Sequence, residues 1–103
     1  MKTIYRFHWD CRRMGTLSGL FIADTQQVAE AMGKKIDFGE VLGKHSEIYG
    51  VLEENDLEVV TDDQQFIQQC ITVFGDGTIS GYNPLEYQTD EEIDFDMNEG
   101  EDE

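Results

Sequence analysis

Residues 57–75, LEVVTDDQQFIQQCITVFG, change period in the middle, and that change decides the fold class. Leu57 to Thr61 is short, rich in β-branched residues and preceded by a polar turn at residues 53–56, the pattern of a strand. From Thr61 or Asp62 onward the apolar residues fall at helical spacing, with Phe66, Ile67, Cys70, Ile71 and Phe74 on one face. Asp62, Gln65, Gln68, Gln69 and Thr72 lie on the other. Thr61 and Gln64 have capping-box spacing at its start, and Gly75 provides the stop. A strand running directly into an amphipathic helix, in a chain whose other strands are short, predicts an α+β domain.

The same reading extends in both directions. Residues 2–9 alternate, with Thr3, Tyr5, Phe7 and Trp9 on one side, as a half-buried strand does. A turn at residues 10–15 leads to a second strand at 16–23, its hairpin partner, with Gly19 marking a bulge or a close backbone approach. Asp24 and Gln27 then have the spacing of a capping box for a brief helix whose stripe is Val28, Ala31 and Met32 and whose end is Gly33. Residues 36–42 and 47–52 are further short strands, 78–80 a last one, and Asn83-Pro84 a turn or the start of a single helical turn. The expected architecture is a mostly antiparallel sheet of five or six short strands carrying both helices on one face. Residues 1–89 form this single domain, and residues 90–103, nine of whose fourteen positions are acidic, form a disordered tail.

Composition limits function more sharply than it limits fold. The chain has 103 residues and a formal net charge of −16. A domain of this length buries about 60–65% of its unfolded surface, enough for one modest core. The charge is unevenly placed. All seven lysines and arginines lie within residues 1–44, against five acids, a net of +2. Residues 45–103 carry eighteen acids and no base, a net of −18. Such a surface repels nucleic acid and anionic lipid and attracts cationic partners, above all proteins whose own sites grip phosphates. The start of the chain alternates and gives no signal-peptide pattern, no apolar run reaches the roughly 18–20 residues that span a bilayer, and two cysteines are too few for a disulfide scaffold. A cytoplasmic setting with reduced thiols follows.

The motifs of catalysis and metal binding are incomplete. Gly75-Asp76-Gly77 suggests the centre of a calcium loop, but with Gly77 at the sixth position the first, third and twelfth positions fall on Thr72, Phe74 and Asn83, which lack the required carboxylates. His8 and Cys11 have metal-ligand spacing, yet His45 and Cys70 stand alone and do not complete a zinc site. Arg12 and Arg13 beside Cys11 would lower its thiol pKa, but no oxyanion donor accompanies it. Neither a P-loop nor a Gly-x-Ser-x-Gly elbow is present. The expectation is therefore a protein without enzymatic activity, metal or cofactor.

What remains is the acid itself. Glu47, Glu53, Glu54, Asp56, Glu58, Asp62 and Asp63 fall within seventeen residues, on strand, turn, strand and helix start, where a fold holds them on a rigid surface. Gly43 and Gly50 bracket a hairpin loop that presents Lys44, His45 and Tyr49 as further contact residues. In size, acidity and the acid-only stretch from Glu47 to the end, the chain resembles the small acidic inhibitors that phages encode against restriction enzymes and CRISPR effectors, many of which mimic DNA. Residues 38–50 also resemble segments of small bacterial and phage proteins. The first resemblance implies an anti-restriction or anti-CRISPR type of inhibitor that binds a basic nucleic-acid-binding protein, a host defence effector or nuclease, and binds neither nucleic acid nor membrane itself. An immunity-like partner of a basic nuclease toxin, and an interaction module with an acidic tail, are the alternatives.

Overall fold

The computed structural model describes residues 1–43 and 47–89. Six strands and two α-helices follow in the order β1 (Lys2–Asp10), β2 (Thr16–Asp24), α1 (Thr25–Ala31), β3 (Lys35–Gly39), β4 (Ile48–Val51), β5 (Leu57–Thr61), α2 (Gln64–Phe74) and β6 (Thr78–Gly81). Single 3₁₀ turns occupy Arg12–Met14, Glu54–Asp56 and Pro84–Tyr87. The class is α+β and the pairing antiparallel, as the change of period implies.

The strands do not form one sheet. Four make a sheet in the order β5-β1-β2-β6, and β3 pairs with β4 in a separate two-stranded sheet. The reason lies in where the hairpin is apolar. Ile36, Phe38 and Ile48 are all buried, and a two-stranded ribbon can bury such a face only by stacking on another layer. They pack with Tyr5, Phe7, Leu17 and Phe21 of the larger sheet. Phe38 is the centre of this contact. Its ring lies 5.6 Å from Phe7, 5.4 Å and edge-on from Trp9, and 4.6 Å from Tyr87.

Nor do the helices share a face. The alternation of β1 sends Tyr5 and Phe7 toward the β3-β4 hairpin, where Val28 and Ala31 of α1 join them. Ile4 points the opposite way, beside its cross-strand partner Ile22, and these two meet Ile67 and Cys70 of α2. The molecule is thus layered, with α2 on one side of the four-stranded sheet and α1 with the hairpin on the other. Ile4 and Ile22 require this arrangement, because strands with apolar residues on both faces must be covered twice.

Local signals place the element ends. Asp24 caps α1 as expected, accepting a hydrogen bond from the Gln26 backbone N–H at 3.0 Å while the Gln27 side chain accepts from the Asp24 N–H at 3.1 Å. The helix α2 starts later than the Thr61–Gln64 spacing suggests. Thr61 is still a β5 residue opposite Ile4, and Asp63 takes the cap, accepting from the N–H groups of Gln65 and Phe66. The stripe on α2 is also narrower. Ile67 and Cys70 are buried and Ile71 half-buried, whereas Phe66 and Phe74 are exposed. Gly19 is a site of close approach: it pairs with Gly81, and a Cβ there would overlap the Tyr82 backbone.

Candidate functional site

The strand β5 lies at one end of the larger sheet, and most of the acids singled out from the sequence sit on it or on the segments at its two ends. At its start, the Glu54–Asp56 turn is closed by a hydrogen bond from the Asp56 N–H to the Glu53 carbonyl at 3.0 Å. A second, 2.9 Å long, runs from the Glu53 N–H to Asp56 Oδ2. That bond fixes the Asp56 carboxylate on its own turn and leaves Oδ1 open. The Glu53 side chain completes the capping box by accepting from the Asp56 N–H, and both Glu53 and Glu54 are exposed. At its far end, the Thr61 hydroxyl accepts from the Asp63 N–H at 3.1 Å, and Asp63 Oδ1 caps α2. Asp62 is exposed beside it.

Glu58, in the strand itself, shows what a linear charge count misses. Arg6 lies directly opposite on β1, and its guanidinium donates to Glu58 Oε1 at 2.9 Å. Both side chains are exposed, so the pair contributes little to stability, on the order of 0–1 kcal/mol. It does bring a base from the cationic half of the chain into the acidic edge. The same folding-back pairs Lys2 with Asp76 at 2.9 Å and the N-terminal amine with Asp24 at 3.1 Å. Among the described residues, Glu47, Glu53, Glu54 and Asp62 have no ion-pair partner. These four, with the open Oδ1 of Asp56 and with Glu58 half-satisfied by Arg6, are among the carboxylates available to an external cation.

The structure divides the predicted set in two. Glu47, Tyr49, Glu53 and Asp56 meet around an open cleft of about 390 Å³ whose other wall is Trp9, Asp10 and Met14 from the end of β1 and the turn after it. Glu58, Asp62 and Asp63 lie outside this cleft, along β5 and at the head of α2. Sequence reasoning missed Asp10 and Trp9, which belong to the cationic half of the chain. The signal was present in the aromatic strand that ends on Trp9-Asp10, but only the fold brings that end beside Glu47 and Glu53. Tyr49 is exposed, with the Lys35 ammonium 5.4 Å from its ring centre, a cation–π distance. Lys44 and His45 lie outside the described residues.

Cys11 also lines the cleft, and its chemistry runs against the expectation from Arg12 and Arg13. Burial, and then the negative charge of Asp10, push its thiol pKa upward, which disfavours the reactive thiolate. Asp10 is turned to local use as well, since its carboxylate accepts from the Arg12 N–H at 2.8 Å. His8 is exposed on β1 and Cys70 is a buried residue of α2. Among the described residues no three or more His, Cys, Asp or Glu side chains are grouped to hold a metal ion. The Gly75–Gly77 turn serves the sheet: the Gly77 carbonyl accepts from the Ile22 N–H at 2.8 Å, and Asp76 holds Lys2. No helix among the described residues is long and apolar enough to cross a membrane. Set against protein-family models, curated proteins and solved structures, the chain matches none.

Proposed function

We propose that the protein is a non-enzymatic inhibitor that binds a basic, nucleic-acid-binding protein, such as a host defence effector or a nuclease, and occupies its phosphate-binding site with carboxylates. The observation that carries this reading is the acidic edge around β5, where Glu53, Glu54 and Asp62 are exposed and have no ion-pair partner among the described residues and Glu58 is shared with a single arginine. The turn bond to Asp56 and the helix cap at Asp63 hold the backbone on either side, so the carboxylates are presented on fixed segments. Preorganisation of that kind reduces the ordering cost on binding.

Charge spacing indicates how much of a phosphate site this edge can fill. Six acids lie between Glu53 and Asp63, eleven residues of turn and strand. At about 3.3 Å per extended residue, that is roughly one charge per 5–6 Å, sparser than the one per 1.7 Å of duplex DNA. That is sparser even than the roughly 3.4 Å per charge of a single strand, so the edge stands in for a few phosphates of a channel and not for a whole duplex. An immunity-like partner of a basic nuclease toxin would use the same surface in the same way.

Competition tests the proposal. A basic protein captured by this chain should release its DNA on binding, with an apparent affinity that falls as salt rises. Replacing both Glu53 and Glu54 by lysine should weaken the complex at least tenfold at low salt and leave the fold intact, since both residues are exposed and the Glu53 side chain closes only a single turn. A stable ternary complex in which DNA still fills the partner's channel would overturn phosphate mimicry.

A further inference from the structure

The two ends of the four-stranded sheet are not alike. At one end β6 reads Thr-Ile-Ser-Gly. Ile79 is half-buried against the α2 cluster, and Gly81 is pressed against the backbone of β2. At the other end β5 pairs with β1 along one side and, among the described residues, with no strand along the other, which leaves a row of backbone N–H and C=O groups facing outward. Val59 is 59% exposed and Val60 42% exposed there. Of the eight large hydrophobic residues that are well exposed among the described residues, five belong to β5 or to α2, which follows it directly in the chain: Val59, Val60, Phe66, Val73 and Phe74. An open strand edge that carries two exposed valines is a surface built to be covered.

Charge decides what covers it. A second copy of this chain would add its own β5 and set Glu58, with Glu53, Glu54, Asp62 and Asp63, near the same residues of its partner. Like charges across a strand pair are destabilising, and each chain carries −16 overall. The bulge at Val60, where the register of β5 against β1 shifts, further discourages flat self-pairing. A basic partner meets the opposite field, with a carboxylate in the middle of the strand and others at both of its ends.

We infer that β5 is a docking edge for an extended basic segment of the partner, which adds to the sheet as a further antiparallel strand. Its main chain bonds to the open side of β5, its aliphatic residues cover Val59 and Val60, and its lysines or arginines meet Glu58 and the acids at either end. This is recognition by strand addition, in which backbone bonds supply affinity and alternate side chains supply specificity. The inference rests on the reading that the partner is basic and adds to it the form the partner takes at the contact.

Three short synthetic peptides separate the two ideas: one alternating lysine and valine, one of the same charge with a central proline, and one alternating threonine and valine. The lysine–valine peptide should bind and slow hydrogen exchange at the amides of residues 57–61. The proline peptide, which cannot maintain the ladder, should bind at least tenfold more weakly, and Val59→Asp should weaken the lysine–valine peptide about tenfold while leaving the circular dichroism unchanged. Equal binding of the lysine–valine and proline peptides overturns strand addition and leaves the charge reading standing. Equal binding of the threonine–valine and lysine–valine peptides overturns the basic partner. Failure of the lysine–valine peptide to bind, or dimerisation of the free protein through β5, overturns the inference outright.

Discussion

Asp24 shows how much one side chain can carry and how far the sequence reveals it. Its pairing with Gln27 is local, three residues apart, and the capping geometry is legible from the two residue types alone. Its second role is not local. The N-terminal amine, twenty-three residues earlier in the chain, donates to Asp24 Oδ2 at 3.1 Å because β1 and β2 are paired along their full length. The Gln26 backbone N–H, and then that amine, hold the Asp24 carboxyl below the ordinary aspartate range. A carboxyl whose pKa is lower folded than unfolded contributes stability that is fully present above the unfolded value, near 3.8, and is lost as pH falls through the folded value. Asp24→Asn keeps an oxygen for the cap and removes the charge. The variant should therefore be less stable than the parent at neutral pH, and the two should converge on acidification below the unfolded value. Denaturant unfolding across that range measures this, and a difference that persists at low pH would exclude the carboxylate charge as its cause.

At the scale of elements, the strand and helix types were legible and the faces were not. The alternation of β1 shows correctly that Tyr5 and Phe7 are buried together, because period 2 is a property of the strand alone. That Ile4 and Ile22 are buried as well depends on where α2 comes to rest, and nothing within nine residues of β1 specifies it. The start of α2 failed for a related reason. Thr61 and Asp63 both satisfy a local capping rule, and the tertiary pairing of Thr61 with Ile4 decides between them. The acidic site divides along the same line. Glu53, Glu54 and Asp62 are exposed as their charge suggests, whereas the Arg6 partner of Glu58 is fifty-two residues away in sequence. The small α2 core makes a direct prediction. Ile67, 1% exposed, is the central contact of α2 with Ile4 and Ile22. Ile67→Ala should cost about 2–5 kcal/mol in unfolding free energy. Hydrogen exchange should accelerate first in α2, because its cluster is separate from the aromatic core around Phe7. Uniform acceleration through both layers would show that the sheet couples the two clusters into one cooperative unit.

For the whole molecule, the opposition between a stacked aromatic core and a net charge of −16 sets the response to salt. Among the described residues the ion pairs Lys2–Asp76, Arg6–Glu58 and Met1–Asp24 lie at the surface, where such pairs contribute little. Screening therefore removes little attraction. Self-repulsion among carboxylates acts over the whole surface, and the edge around β5 concentrates it where Glu53, Glu54 and Asp62 have no described base beside them. Raising ionic strength from about 10 mM to about 0.5 M shortens the Debye length from roughly 30 Å to a few ångströms, so repulsion between separated acids fades while the buried contacts are untouched. The thermal midpoint should rise by several degrees over that range, most steeply at its lower end. Glu53→Lys with Glu54→Lys should raise the midpoint at low salt and reduce its salt dependence, the same substitutions that weaken a basic partner. Opposite signs for stability and binding at the same residues are expected where a surface is strained by its own charge and relieved by a partner's. If the double substitution instead lowers the midpoint at low salt, these carboxylates serve the fold, and the acidic edge owes its form to stability and not to recognition.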